Sequence, residues 1–106
     1  MNHDLASLHC KPGHAAMDAA EIAARLKASA GWCLNAGAVE KQFEFADYHR
    51  TMAFVNAVAW IAHREDHHPD IAFGYNRCTV RFNTHSVGGI SLNDFICAAK
   101  VDALNL

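Results

Sequence analysis

Polar and apolar positions along the chain change period several times, and each change marks an element. Asp18 followed three residues later by Glu21 is a helix-start signature, and Ile22 and Leu26 then set a narrow apolar stripe among alanines over Ala19 to Ala30. Gly31 ends that run, Trp32 and Leu34 share one side of a short strand, and Asn35-Ala36-Gly37 supplies turn chemistry. Val39, Lys41, Phe43 and Phe45 alternate with Glu40, Gln42 and Glu44, the period-two pattern of a half-buried strand pairing with the first. Asp47 then opens the longest helix, about Tyr48 to Asp66. Met52, Val55, Ala59 and Ala62 form its expected core face, with Phe54, Val58 and Ile61 beside it as surplus apolar surface. Beyond Pro69, Ile71, Phe73 and Tyr75 alternate with polar or small residues, and Cys78, Val80 and Phe82 alternate with Thr79, Arg81 and Asn83, with a turn at Asn76-Arg77. Gly88-Gly89 breaks the chain, and Ser91 with Asp94 caps a last helix to about Leu104.

The order helix-strand-strand-helix-strand-strand-helix predicts an α+β fold: a four-stranded antiparallel sheet with three helices packed on one face. Residues 1–16 read as a loosely ordered arm, and 17–106 as a single domain. With 106 residues the chain has room for one core. A net charge of −2 with no Lys/Arg cluster argues against nucleic acid as partner. No apolar run is long enough for a membrane span, and no export signal leads the chain. Cys10, Cys33, Cys78 and Cys97, far apart and without CxxC spacing, read as reduced thiols in the cytoplasm. In the arm, His3, His9, Cys10 and His14 have a spacing that could ligate zinc, but no second cysteine pair completes a tetrahedral set.

The chemistry concentrates where the long helix ends. His67-His68-Pro69 places adjacent imidazoles at a helix-to-strand junction, since proline forces the preceding residue out of helical geometry. Thr84-His85 returns after the second hairpin, followed by Asp94. Three imidazoles at one spot suggest a metal site or acid–base chemistry. Consecutive side chains diverge, which serves a metal poorly, although His63 and His67 are spaced to share a helix face. Divergence suits two walls of one organic-ligand pocket, so acid–base work fits better. Asp94, three residues after Ser91, has a capping role at least as natural as a chemical one.

Taken together, Asp66-His67-His68-Pro69-Asp70, Tyr75-Asn76, Thr84-His85, Gly88-Gly89 and Asp94 resemble the pterin-4a-carbinolamine dehydratases. Similarity extends to Gly31-Trp32, Phe43 to Phe45, Met52 to Val55 and Asp94-Phe95, so nearly everything after Asp18 is included. One position departs: His63 stands where the family commonly has Glu, with Glu65 or Asp66 as substitutes. The resemblance implies dehydration of 4a-hydroxytetrahydropterin to quinonoid dihydropterin, recycling the cofactor of an aromatic amino acid hydroxylase without metal or redox cofactor. It further implies His67, His68 and His85 as catalytic residues. Pro69, Thr84, Ser86 and Val87 would join them around substrate, with His63, Asp66 and Asp94 in support. A homodimer or homotetramer is implied too. Animal relatives suggest a second role, as dimerisation cofactor for a transcription factor.

Overall fold

The structure, a computed structural model, describes residues 3–105, with side chains from Leu5 onward. In chain order come α1 (His3–Ala6), α2 (Ala19–Lys27), β1 (Cys33–Asn35), β2 (Ala38–Glu44), α3 (Tyr48–Glu65), β3 (Asp70–Phe73), β4 (Arg77–Phe82) and α4 (Leu92–Asp102). The four strands form one antiparallel sheet in the order β1-β2-β4-β3, so the expected α+β layer is present with β2 and β4 central. No described helix is long and apolar enough to cross a membrane.

Local chemistry explains most boundaries. The Asp18 carboxylate accepts from Glu21 N–H at 2.8 Å and the Glu21 side chain returns to Asp18 N–H at 3.0 Å, opening α2. Between β1 and β2, Ala36 and Gly37 both have positive φ (49° and 80°), as a two-residue turn matched to the strand twist requires. On β4, Cys78, Val80 and Phe82 are fully buried, facing α3 and α4, while Thr79 and Arg81 lie on the opposite face beside Gln42 and Glu40. Val39, Val58 and Phe95 close the core between sheet and helices.

Three expectations change. The core face of α3 is Thr51, Phe54, Val58, Ala62 and Glu65, not the stripe through Met52 and Ala59. Phe54, expected as surplus surface, is 4% exposed and packs its ring on Phe43 at 4.6 Å and Phe45 at 5.0 Å. The aromatic residues that α3 leaves outside are Tyr48 at its start, 45% exposed, and Trp60, 60% exposed. The β3–β4 turn centres on Tyr75-Asn76 rather than Asn76-Arg77, because Gly74 N–H pairs with the Arg77 carbonyl at 2.9 Å. Thr51 Oγ1 and Phe45 N–H hold the turn by donating to the Tyr75 and Asn76 carbonyls.

The third change concerns the segment before residue 17, read as a loose arm. Its described part packs against the domain: Leu5 is buried in the core, Lys100 Nζ donates to the Ala6 carbonyl at 2.9 Å, and Lys11 N–H reaches Asn93 Oδ1 at 3.2 Å. These partners lie more than seventy positions away and leave no local pattern.

The revised α3 register makes a direct prediction. Phe54→Ala should cost about 3–5 kcal/mol in urea unfolding, as aromatic truncations in a core do. Trp60→Ala should stay within about 0.5 kcal/mol of the parent, as exposed substitutions do. Equal losses, or the reverse order, would contradict the register.

Candidate active site

Asp66 ends α3 in the left-handed region (φ 51°), and the next amide, His67 N–H, donates back to the Ala62 carbonyl at 3.2 Å. That amide is a second donor to a carbonyl that already accepts from Asp66 N–H, and the closure turns the His67 side chain inward as the chain heads toward Pro69. The imidazole of His67 is 12% exposed and lies nearly parallel to the Phe82 ring, at 8° with centroids 6.0 Å apart. Its Nε2 sits 2.6 Å from Asp94 Oδ1.

Asp94 is fully buried in the first turn of α4. Its Oδ2 accepts from Ser91 N–H at 2.9 Å and from Thr84 Oγ1 at 2.8 Å, and Thr84 Oγ1 also lies 2.8 Å from Ser91 Oγ. The carboxylate is therefore both the helix cap and the partner of His67, one oxygen for each task. A buried carboxylate is tolerated only when its lone pairs are filled this way, and the positive end of the helix adds to it.

Thr84 is fixed in turn by the strand-like bridge to Gly89, with Thr84 N–H donating to the Gly89 carbonyl at 2.8 Å. The loop between them makes a single 3-10 turn over His85–Val87, which Gly88 ends at φ 64°. This geometry brings His67, His68, Pro69, Thr84, His85 and Ser86 around one cavity of about 330 Å³, with Asp66 and Asn83 also on its wall. His68 and His85 are exposed where His67 is held, so the adjacent histidines do diverge. A larger cavity of about 440 Å³ lies against the β3–β4 turn, but it holds no imidazole or carboxylate able to move a proton near neutral pH.

Not every expected residue joins the site. His63 is exposed on α3 with its ring 5.3 Å from that of Trp60, and it lines neither this cavity nor its neighbour. Val87 is half-buried and lines neither. The zinc-like set of the arm does not converge: His9 Nδ1 pairs with Glu65 at 2.9 Å, Cys10 Sγ lies 3.4 Å from Cys97 Sγ, and the His3 side chain is outside the described residues. Among the described residues no three His, Cys, Asp or Glu side chains are grouped to hold a metal ion.

Sequence reading missed a second cavity of about 290 Å³, which shares Asp66, His67, Thr84 and Ser86 with the first and is walled by Cys10, Lys11, Pro12, Glu65 and Asn93. Glu65 is the anchor there. Burial opposes its ionisation, but the Cys10 N–H at 2.7 Å, His9 and Lys100 together outweigh that and hold the carboxyl below its ordinary value. The thiol contact with Cys10, together with burial, pushes the Cys97 thiol far above its ordinary value, so Cys97 stays protonated.

Fold and site thus define a small α+β protein whose sheet and helices meet at a buried carboxylate–imidazole pair beside two further histidines. A profile of the pterin 4 alpha carbinolamine dehydratase family matches residues 15–104. A protein of Nitrosospira multiformis, provisionally named as a pterin-4-alpha-carbinolamine dehydratase, is 54% identical over 95% of this chain and 92% of its own. One from Stenotrophomonas maltophilia with the same provisional name is 53% identical over 94% and 90%. The crystal structure of a transcriptional coactivator/pterin dehydratase from Brucella melitensis superposes with a TM-score of 0.80 at 31% identity, covering 83% of this chain and 96% of that one. A pterin dehydratase-like RuBisCO assembly factor of the alpha-carboxysome aligns more loosely, with a TM-score of 0.57 at 26% identity over 68% of this chain and 83% of its own. The chain belongs to the pterin-4a-carbinolamine dehydratase family and is, by that membership, a hydro-lyase.

The Glu65 anchor carries a pH signature. Because its folded pKa is depressed below 4.5, the stability it confers is fully present above that value and is lost as pH falls through the folded pKa. The stability gap between the parent and Glu65→Gln, read from urea midpoints, should be widest near neutral pH and shrink on acidification below 4.5. A gap that stays constant with pH would contradict the charge-based role.

Proposed function

We propose that this protein dehydrates 4a-hydroxytetrahydropterin to quinonoid dihydropterin by histidine acid–base catalysis. The observation that carries this reading is the pairing of His67 Nε2 with the buried Asp94. A carboxylate accepting the Nε2 proton fixes the tautomer whose Nδ1 has a free lone pair, and it stabilises the imidazolium formed when Nδ1 takes a proton. His67 is therefore assigned as the base that removes the N5 proton. As the N5–H electrons form the C4a=N5 double bond, the C4a–O bond breaks and the hydroxyl leaves as water, protonated by an acid on the same cavity wall. His85, exposed in the 3-10 turn, is assigned that role. His68 and Pro69 then serve to hold the ring. The elimination is redox-neutral, so the proton transfers suffice without a reductant or oxidant.

The names of the structural neighbours include a coactivator and an assembly factor, so this fold also serves proteins with other duties. What favours catalysis here is a satisfied carboxylate–imidazole pair opening on a cavity, an arrangement that partner binding alone does not need. In cells we propose that the protein works in the cytoplasm, downstream of an aromatic amino acid hydroxylase.

Turnover of chemically generated 4a-hydroxytetrahydropterin by the purified protein tests the reading. His67→Ala and His85→Ala should each lower kcat by at least about tenfold with unchanged circular dichroism, the scale of a lost general acid or base. His68→Ala should act chiefly on KM. Absence of turnover by the parent, or parental kcat in both the His67 and His85 variants, would defeat it.

A further inference from the structure

The family profile begins at residue 15 and so leaves out one whole wall of the second cavity. That wall is built, not incidental. Asn93, 8% exposed, makes a two-way bond with the backbone of Lys11: Lys11 N–H donates to Asn93 Oδ1 at 3.2 Å, and Asn93 Nδ2 donates to the Lys11 carbonyl at 2.8 Å. One residue earlier, the buried Glu65 carboxylate takes Cys10 N–H at 2.7 Å. Cys10 Sγ points the other way, to the Asn93 carbonyl at 3.6 Å and the Cys97 thiol at 3.4 Å. A side-chain amide that both donates to and accepts from the backbone of one residue imitates a strand partner and leaves that residue little freedom. Neighbouring residues in the first turn of α4 thus hold the two sides of one space: Asp94 fixes His67, and Asn93 fixes the segment facing it.

We propose that Cys10–Pro12 forms the second wall of the substrate site and that Asn93 is the positioning residue that holds it there. The proposal rests on the dehydratase reading above. Each cavity alone is at the small end of the about 300–1,000 Å³ usual for ligand sites, and His67 lines both, so a bicyclic pterin reacting at His67 extends from one into the other. The wall makes no contact with His67 or Asp94 through any hydrogen bond the structure shows, so its contribution is to hold the ring, not to move protons.

Steady-state kinetics on 4a-hydroxytetrahydropterin with the full chain provide the test. Asn93→Ala should raise KM by at least about fivefold and leave kcat within about twofold, the signature of lost binding that is equal in ground and transition states. Asn93→Asp, which keeps the acceptor for Lys11 N–H and loses the donor, should fall between the two. A fall in kcat with KM unchanged would mean that Asn93 acts through its neighbour Asp94, and parental KM would mean that the wall does not meet substrate; either overturns the proposal. Amide hydrogen exchange on the parent, with and without 7,8-dihydropterin, needs no variant and no turnover. Exchange at Cys10 and Lys11 should slow on binding. A bound pterin that leaves both amides unchanged overturns the wall while leaving the dehydratase reading intact, whereas a parent without turnover strikes that reading first.

Discussion

The structure depends on one buried charge. Asp94 has no contact with water, and a carboxylate in that position is stable only with its oxygens occupied. The donors that occupy them come from three places in the chain: Ser91 N–H at the start of α4, Thr84 Oγ1 just past β4, and His67 Nε2 just past α3. The ends of α3 and β4 and the start of α4 therefore meet at a single group, and satisfying that group sets the site's geometry. The same constraint that closes the fold presents His67 in one orientation, flat against Phe82. Folding and pre-organisation of the site are the same event here.

How much of this was legible depended on the range of the interactions. The β4 alternation reads cleanly because helices cover only one face of the strand, so burial follows parity from Cys78 to Phe82. The caps of α2, α3 and α4 are legible for a similar reason, since each is written within three residues. On α3 the reading went astray because alanines at 53, 57, 59 and 62 let several stripes pass for a core face. Sheet contacts, above all the Phe43 and Phe45 rings on Phe54, choose among them. The turn at Tyr75-Asn76 shifted by one residue because Thr51 and Phe45 reach it from elsewhere in the fold.

The site divides along the same line. His67, His68, Thr84 and His85 were visible as short motifs, and the structure gathers them. Sequence spacing left Asp94 between a cap and a chemical partner; the structure assigns one oxygen to each. His63, singled out for its helical spacing to His67, turns instead to Trp60, because the left-handed Asp66 rotates His67 off the helix face that His63 shares. Asn93 carried no signal, and Glu65 and Cys10 were noticed for other roles, a stand-in for the family Glu and a zinc-like spacing, not as partners of each other. Their bonds span 55 to 87 positions, and no local pattern encodes such contacts.

The central claim is that Asp94 accepts a hydrogen bond from His67 Nε2–H, which keeps the proton on Nε2 and so offers Nδ1 as the base. Histidine side-chain ¹⁵N NMR, with His67 assigned by comparison with His67→Gln, reads this tautomer directly in the unliganded protein. The account predicts a protonated Nε2 and an unprotonated Nδ1 for neutral His67. A proton resident on Nδ1, or equal sharing between the two nitrogens, would contradict it.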